Sequence, residues 1–429
     1  MEWISGRSGD AYISRFTITC ENLRDQREIK ASPADFADQH RSGFTMNRKI
    51  SIFLLILFFT SRSLPGQVKV RIFANQKASS GVFTVTAGKY ELDIYDNKSV
   101  LLTRDEPVIL AFFNGKIAVK IKSALSFMCD SLIVRGLTGN DRFSFRVSGS
   151  VKSRQSYSGD LQIHPDLGFL VFINICDIEQ YITGVVRTEG GPGKNIEYLK
   201  SQAVLARTFI YKHFGRHLLD RYNFCDDIHC QAYNGVTADT LIYRAALETK
   251  GQVILDSDSN LIISAFHSNC GGETSVSEDV WLSGHPYVKK VSDPYCRKSP
   301  NATWRKSIPL PDWEAYLKKS GFVPDRNSGQ TYNFSQLTRQ NDYRIGSFSV
   351  PFRQIRNDLN LRSAFFSVLK DGNSIILKGR GYGHGVGLCQ EGAMIMAAKG
   401  FKYSEIITFY YSDVIITDIK NAKIVKNDL

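Results

Sequence analysis

Apolar and polar residues alternate from residue 67 to about residue 153, and this period of two predicts antiparallel β-strands. The turn-forming pairs Asp96-Asn97 and Asn114-Gly115 separate the apolar runs. The clearest strands are predicted at residues 68–73, 83–86, 90–95 and 116–121. We therefore expect residues 67–153 to form a β-rich accessory region.

Beyond residue 154 the pattern predicts both strands and helices. The strongest helix is capped by Asn195, carries apolar residues at helical spacing up to Ile210, and is expected to stop at Gly215. Other strands are predicted at 161–163, 170–175, 261–266 and 374–378, and other helices at 313–320, 390–399 and 404–411. A polar stretch, about residues 297–347, is expected to be a surface insertion. The predicted fold class is α+β, with a mixed α/β domain at residues 154–418 and a tail at 419–429.

An uninterrupted apolar run at residues 50–59 follows the basic start Met46-Asn47-Arg48-Lys49 and precedes small residues. These are the parts of a secretory signal peptide. The run is too short to cross about 30 Å of hydrocarbon, which needs about 20 residues. We predict a cleaved signal peptide at residues 46–66, with a buried core segment or an uncleaved membrane anchor as the alternatives.

Residues 1–45 have no clear hydrophobic period, and a signal peptide belongs at an N-terminus. The simplest explanation is that translation starts at Met46 and that residues 1–45 are a non-native upstream extension. A genuine cytoplasmic extension is the alternative. The protein is then expected to be exported to the periplasm or cell envelope, and to stay membrane-anchored if the signal is not cut.

The charge balance suits an exported protein that meets an anionic polymer. The chain has 54 basic and 42 acidic residues, for a net charge of +12. Nearly all of this charge lies beyond residue 63, and it is compatible with a cell wall, with lipid headgroups or with a merely soluble surface. Nucleic acid is not expected as a partner, because no motif of interleaved basic and aromatic residues appears.

Three short segments offer candidate chemistry, and each has a plain structural alternative. Glu189 lies in a predicted glycine-rich turn before a helix, whose positive end would favour the ionised carboxylate; otherwise it is a solvated loop residue. His384 lies among five alternating glycines, at residues 379–387, that let backbone or ligand approach closely; otherwise it is a buried structural histidine. His267 and Ser268 follow a predicted strand, where binding sites or ordinary polar turns occur.

Seven cysteines follow residue 63, so an oxidising compartment would leave at least one unpaired or bound to metal. Cys225, His229 and Cys230 place three soft ligands within six residues, which suits zinc. A local disulfide between Cys225 and Cys230 is equally compatible with the spacing.

Six separate motifs, in order between residues 157 and 417, resemble the SpoIID/LytB family. They are Tyr181-Ile-Thr-Gly-Val-Val-x-x-Glu189, the helix Leu199-Lys-x-Gln-Ala-Val-x-Ala-Arg207-Thr, Cys230-Gln-x-Tyr-x-Gly235, His267-Ser-x-x-Gly-Gly-x-Thr274, Val291-x-Asp-Pro-Tyr295, and Gly379-x-Gly-x-Gly-His384-Gly-Val-Gly-x-x-Gln390-x-Gly-Ala393. The match over residues 68–153 is less specific.

The resemblance implies a lytic transglycosylase that acts on peptidoglycan glycan strands, in some members only on strands stripped of peptides. It implies Glu189 as the acid/base, with Arg207, His267, Ser268, His384 and Gln390 shaping the glycan cleft or holding Glu189. It also implies zinc as a cofactor, on Cys225, His229 and Cys230.

The chain departs from the family pattern at two places. Gly190-Gly191 replaces the usual Met-Pro after the glutamate, and Cys270 and Cys389 replace Ser or Thr. These two cysteines are expected to pair, to remain free or to bind metal. The loosened loop favours the alternative function in the family, a non-catalytic glycan binder that enhances a partner cell-wall amidase.

Overall fold

The computed structural model describes residues 66–94, 98–121, 126–150, 154–191, 193–281, 283–324 and 331–423. The predicted upstream extension and all of the predicted signal peptide except Gly66 lie outside these residues and remain predictions. Within the described part of the chain, no helix is long and apolar enough to cross a membrane.

The first half of the described chain forms two large β-sheets. Its strands are β1 Gln67–Ile72, β2 Ser80–Ala87, β3 Tyr90–Ile94, β4 Lys98–Leu102, β5 Pro107–Phe113, β6 Lys116–Ile121, β7 Phe127–Cys129, β8 Leu132–Gly136, β9 Arg142–Val147, β10 Gln155–Ser158, β11 Asp160–Asp166, β12 Phe169–Asp177 and β13 Phe224–Cys225. One sheet has the order β13-β1-β12-β11-β8-β3-β4, and the other has the order β10-β9-β2-β5-β6-β7.

These two sheets join the predicted accessory region to the domain that follows it. Strand β1 pairs with β12 along its whole length, and β8 pairs with β11, so the seven-stranded sheet crosses the predicted boundary at residue 153. The two sheets also share one hydrophobic core, in which the rings of Phe145 and Phe172 lie 4.7 Å apart. Because their apolar faces cover each other, residues 67–153 are packed as part of the same body.

The helices of the described chain pack mainly on one another, and the first of them also packs on β1 and β12. They are α1 Ile178–Glu189, α2 Ile196–Lys212, α3 Thr240–Glu248, α4 Leu310–Lys319, α5 Phe352–Asp358, α6 Gln390–Ala398 and α7 Tyr403–Tyr410. Asn195 caps α2, as predicted, by accepting a hydrogen bond from the Glu197 N–H. The amide NH2 of the same side chain donates to the Ala397 carbonyl at 3.1 Å, which ties the start of α2 to the end of α6.

The remaining strands are β14 Gln252–Leu255, β15 Phe266–His267, β16 Thr303–Pro309, β17 Asp342–Ile345, β18 Phe348–Pro351, β19 Phe366–Asp371, β20 Ser374–Arg380, β21 Leu388–Cys389 and β22 Ile415–Asp418. The predicted strand at 261–266 is mostly irregular: the Tyr287 hydroxyl accepts from the Ile263 N–H, and the Ser264 hydroxyl donates to the Leu205 carbonyl. Leu261 forms an isolated bridge with Leu255, and only Phe266–His267 forms a strand, which pairs with β21.

A small unit with its own core is formed by β16 to β20, α4 and α5. The sheet β16-β20-β19 packs on the fully buried Trp313 of α4 and on apolar residues of α5. Residues 297–347, predicted as a surface insertion, therefore share this core with residues that follow them. The α+β class with a β-rich N-terminal region is confirmed.

Candidate functional site

Glu189 is the last residue of α1, not a loop residue, so the expected placement before the positive end of α2 is wrong. Helix α1 begins at the Asp177 cap and buries the face that carries Ile178, Ile182 and Val185. Glu189 continues this face, because it follows Val185 by one turn. Glu189 therefore places a carboxyl group on the buried face of α1, where the helical period predicts an apolar residue.

Glu189 is 6 % exposed, and its side chain contacts the segment that follows Cys230. One carboxyl oxygen, Oε1, accepts a 2.5 Å hydrogen bond from the Ala232 N–H. The other, Oε2, is buried and has no hydrogen-bond partner among the described residues. Burial raises the pKa of Glu189 to about 8, against the opposing effect of the Ala232 bond. The negative end of its own helix acts in the same direction as burial.

The backbone of Glu189 is held by side chains from two other helices. Gln390, the first residue of α6, donates through Nε2 to the Glu189 carbonyl at 2.7 Å and to the Gln202 side chain at 3.3 Å. Tyr198 of α2 donates its hydroxyl to the Gly190 carbonyl at 2.6 Å. These bonds satisfy carbonyls that the end of α1 leaves open, and they fix the direction of the Glu189 side chain. The structure thus brings Gln390 to the Glu189 backbone, and its expected role in binding glycan stays a prediction.

Arg207 does not reach this site, so its expected role beside the glycan or Glu189 is not supported by its position. It is fully buried and donates to both carboxylate oxygens of Glu179, at 3.0 and 2.6 Å. Its remaining bonds go to the carbonyls of Gln252 and Ala246. Glu179 lies in the first turn of α1, so Arg207 anchors the start of the helix that ends in Glu189.

His267 and His384 form a second buried group, with ring centres 5.4 Å apart. His384 accepts the Val386 N–H at Nδ1, so its proton lies on Nε2, which donates to the Phe266 carbonyl. His267 faces the Val386 carbonyl through Nδ1, and its buried Nε2 has no partner among the described residues. Burial lowers the pKa of both, that of His384 to about 3, so both rings are neutral.

Ser268 lies beside this pair, and its hydroxyl accepts from the Asn301 side chain at 3.4 Å. No described hydrogen bond joins His267, Ser268 or His384 to Glu189. These residues form a buried polar group that is separate from the hydrogen bonds around the carboxyl group.

The predicted ligands Cys225, His229 and Cys230 do converge, and a fourth group, His217, joins them. Their donor atoms lie within 4.8 Å of one another. The Cys230 sulfur is 3.4 Å from His217 Nε2 and 3.5 Å from His229 Nδ1, and the Cys225 sulfur is 3.7 Å from His229 Nδ1. The pKa of the Cys225 thiol is lowered to about 5, mainly because Cys230 donates a hydrogen bond to it.

This donor set fits a structural zinc ion. Zinc–sulfur bonds of about 2.3 Å and zinc–nitrogen bonds of about 2.0 Å place S and N atoms about 3.6 Å apart at tetrahedral angles. The three measured separations lie within about 0.2 Å of that value, and a Cys2His2 set is common in closed zinc sites. Both cysteines are present as free thiols.

Comparison with known proteins agrees with the motifs around this site. The sequence profile of the family described as stage II sporulation protein matches residues 168–255, which contain α1, α2 and the four donor residues. The chain is 30% identical over 263 residues to stage II sporulation protein D of Bacillus subtilis, covering 56% of this chain and 74% of that protein. This chain belongs to the SpoIID/LytB family.

Two further relatives show how far the similarity extends. An uncharacterised protein of Brachyspira hyodysenteriae is 26% identical over 362 residues, which cover 81% of this chain and 94% of that protein. A Bacillus subtilis protein named amidase enhancer is 27% identical over 299 residues, which cover 55% of this chain and 40% of that protein. Membership of the SpoIID/LytB family supports a function related to the cell wall.

Sequence reasoning missed three residues of this SpoIID/LytB site. His217 precedes Cys225 by eight residues and lies in a short turn after α2. This separation along the chain is why the spacing of Cys225, His229 and Cys230 did not indicate it. Tyr198 and Ala232 act on Glu189 through a hydroxyl and a backbone N–H. The helical spacing of Ile178, Ile182, Val185 and Glu189 was the available indication that α1 extends to the glutamate.

Proposed function

We propose that this protein is an exported lytic transglycosylase that cleaves peptidoglycan glycan strands, with Glu189 as its acid and base. The observation that supports this most is the Glu189 carboxyl group itself: it is buried, its pKa is raised to about 8, and its Oε2 has no described partner. Such a group is protonated at neutral pH, as a general acid must be.

The proposed reaction needs one carboxyl group. Protonated Glu189 donates its proton to the glycosidic oxygen, and the bond from the muramyl C1 to that oxygen breaks. The carboxylate then removes the proton from the C6 hydroxyl of the same muramyl residue, whose oxygen forms the new bond to C1. The products are a free hydroxyl on the leaving sugar and a 1,6-anhydro end. Since the nucleophile comes from the substrate, no second carboxylate is required, unlike in ordinary glycosidases.

Zinc held by His217, Cys225, His229 and Cys230 would serve this reaction by fixing a loop. Zinc in such a four-ligand site supplies folding energy rather than a reacting group. Cys230 is two residues before Ala232, whose N–H binds Glu189 Oε1. The Cys225–Ala232 segment would thereby hold the Glu189 carboxyl group in one orientation, while Gln390 holds its backbone.

A second candidate function, enhancement of a cell-wall amidase by glycan binding, is favoured by the segment after Glu189. Gly191 has φ 66°, a left-handed value that proline, fixed near −65°, cannot adopt. The backbone therefore follows a path here that the family's Met-Pro would not allow. The carboxyl group is also nearly enclosed, so a substrate reaches it only after a neighbouring segment moves. One relative is named amidase enhancer.

Incubation with peptide-free glycan strands separates the two functions. The purified protein is expected to generate 1,6-anhydromuramyl ends, detected by mass spectrometry, and Glu189→Gln is expected to bind the strands equally well but to generate none. Glu91→Gln, a change in β3 outside the site, is the matched control and should retain activity. Strand binding without any anhydro ends from the wild-type protein would exclude the enzyme and favour the enhancer.

A further inference from the structure

A second group of metal-binding residues lies outside the Cys2His2 site and is not used by the proposed reaction. It consists of Cys270, Asp293, Cys296 and Cys389, whose donor atoms all lie within 4.8 Å of one another. Each of these four residues has 0% exposure. They come from three separate parts of the chain, so their convergence is created by the fold and not by local spacing.

The separations inside this cluster are close to those of a tetrahedral zinc site. The Cys270 and Cys296 sulfurs are 3.3 Å apart, and the Cys270 sulfur is 3.2 Å from Asp293 Oδ2. Around a zinc ion the corresponding separations are about 3.8 Å for two sulfurs and about 3.5 Å for sulfur and oxygen. An outward movement of a few tenths of an ångström for each donor would therefore admit the ion.

Hydrogen bonds from neighbouring groups fix the orientation of the Asp293 carboxyl group and the Cys389 sulfur, as is usual for the ligands of a metal ion. Asp293 accepts the Tyr295 and Cys296 N–H groups at Oδ1, and Oδ2 accepts the Tyr410 hydroxyl. The Cys389 sulfur accepts the N–H groups of Cys270 and Gly392, the second of which belongs to the first turn of α6. N–H groups that point at a sulfur, and a helix N-terminus beneath it, stabilise a thiolate.

The cluster brings three sulfurs and a carboxyl group together inside the protein. The Asp293 carboxyl group lies against the same sulfurs without exposure to water. Thiolates and a carboxylate are ligands of zinc, and a bound ion would compensate the charge that these groups carry once they are deprotonated.

We propose that Cys270, Asp293, Cys296 and Cys389 form a second, structural zinc site. A disulfide would use only two of the three sulfurs, and it would leave the third sulfur and the Asp293 carboxyl group without a metal ion to bind. With zinc bound, the thiol protons are released and all four donors are used. Soft thiolate ligands in a closed site favour zinc among the common divalent ions.

The site would join three segments that carry the binding motifs. Cys270 follows the His267 and Ser268 motif, Asp293 and Cys296 close the next loop, and Cys389 caps α6. Gln390, which holds the Glu189 carbonyl, is the residue after Cys389. Gly392 allows the close approach, since a Cβ at this position would overlap both the Tyr410 hydroxyl and Asp293 Oδ2.

Metal counting on the folded, full-length protein tests the proposal. We expect Cys225→Ser/Cys230→Ser, which removes the first site, to retain one zinc ion per chain by plasma mass spectrometry. Adding Cys296→Ser should remove it, whereas adding Cys129→Ser, a buried thiol outside both clusters, should not. The proposal is overturned if the double variant holds no zinc, or if its zinc survives Cys296→Ser.

A second measurement needs no variant in the new site. The cobalt form of Cys225→Ser/Cys230→Ser should keep about three fifths of the wild-type sulfur-to-cobalt absorption, because three of five thiolates remain.

A third measurement tests for a disulfide. In denaturant with chelator, all three cluster cysteines of the wild-type protein should react with a thiol reagent. A mass lower by two hydrogens, mapped to two of these three cysteines, would establish a disulfide and refute the zinc site.

Discussion

Replacing Glu189 with glutamine should shift the free energy of unfolding increasingly in favour of the variant as the pH rises. The folded-state pKa of Glu189 is about 8, whereas the ordinary value is 4.5. Below pH 4.5 the carboxyl group is protonated in both states, so it has no pH-dependent effect on the free energy of unfolding. Between these values the unfolded chain loses the proton while the folded protein keeps it, and stability falls as pH increases.

The size of the effect follows from the same two values. Each unit of pKa difference corresponds to about 1.4 kcal/mol, so the full penalty above pH 8 is roughly 5 kcal/mol. From pH 5 to pH 8 the penalty grows by about 3.5 kcal/mol. In the Glu189→Gln variant the new side chain would still accept the Ala232 N–H but would bury an amide NH2 without a partner, which costs about 1–3 kcal/mol at every pH.

Urea unfolding of the wild-type protein and Glu189→Gln at pH 5, 6, 7 and 8 checks this prediction. The difference between the two free energies of unfolding should change by about 3.5 kcal/mol in favour of the variant across this range. Other titrating groups affect both proteins equally and cancel in the difference. Glu91→Gln, a carboxyl-to-amide change in β3 outside the site, is the matched control. Parallel curves for the wild type and Glu189→Gln would mean that the carboxyl group is ionised in the folded protein, which would refute its role as a ready acid.

Three further substitutions test the surroundings of the site. His217→Ala should lower the zinc content by one ion per chain while His164→Ala leaves it unchanged, and full retention of metal would show that His217 is not a ligand. Arg207→Ala leaves Glu179 without its partner and should lower the free energy of unfolding by about 3–5 kcal/mol in urea melts, with glycan binding retained by the fraction that is folded. Gly184→Ala places a Cβ against the Gly235 carbonyl and the Tyr233 ring, so thermal melts should show a loss of about 1–3 kcal/mol that Gly215→Ala, with nothing within 4 Å, does not show.

The strands were the most predictable part of the fold, because their apolar faces repeat every second residue. The pattern at residues 116–121 matches β6 residue for residue, and Asn195 caps α2 as its side-chain chemistry predicts. The pairing of β1 with β12 was not predictable, since about a hundred residues separate the two strands and no local pattern specifies the partner. For this reason the sequence predicts only a β-rich accessory region, although this region shares a sheet with the next domain.

The site was predictable in its residue types but not in its contacts. The motifs identified Glu189 and Gln390, yet only the fold shows that the amide of one holds the carbonyl of the other. Arg207 illustrates the opposite case, since its motif position suggested the cleft while its side chain is fully buried on Glu179. A motif specifies which residues occur together in the sequence, whereas burial and hydrogen bonding decide which of them meet.

Two hydrogen bonds orient Glu189, and each comes from a residue that closely follows a cysteine of one of the two clusters. Ala232, which binds the carboxyl group, follows Cys230 of the Cys2His2 set by two residues. Gln390, which binds the Glu189 carbonyl, directly follows Cys389 of the second cluster. A buried carboxyl group lowers stability unless the surrounding structure is held in place by other interactions. Four-ligand metal sites are strong local interactions of this kind, because binding free energy adds to folding free energy. If both clusters bind zinc, removal of either ion should loosen one of the two contacts that orient Glu189 and leave the other intact.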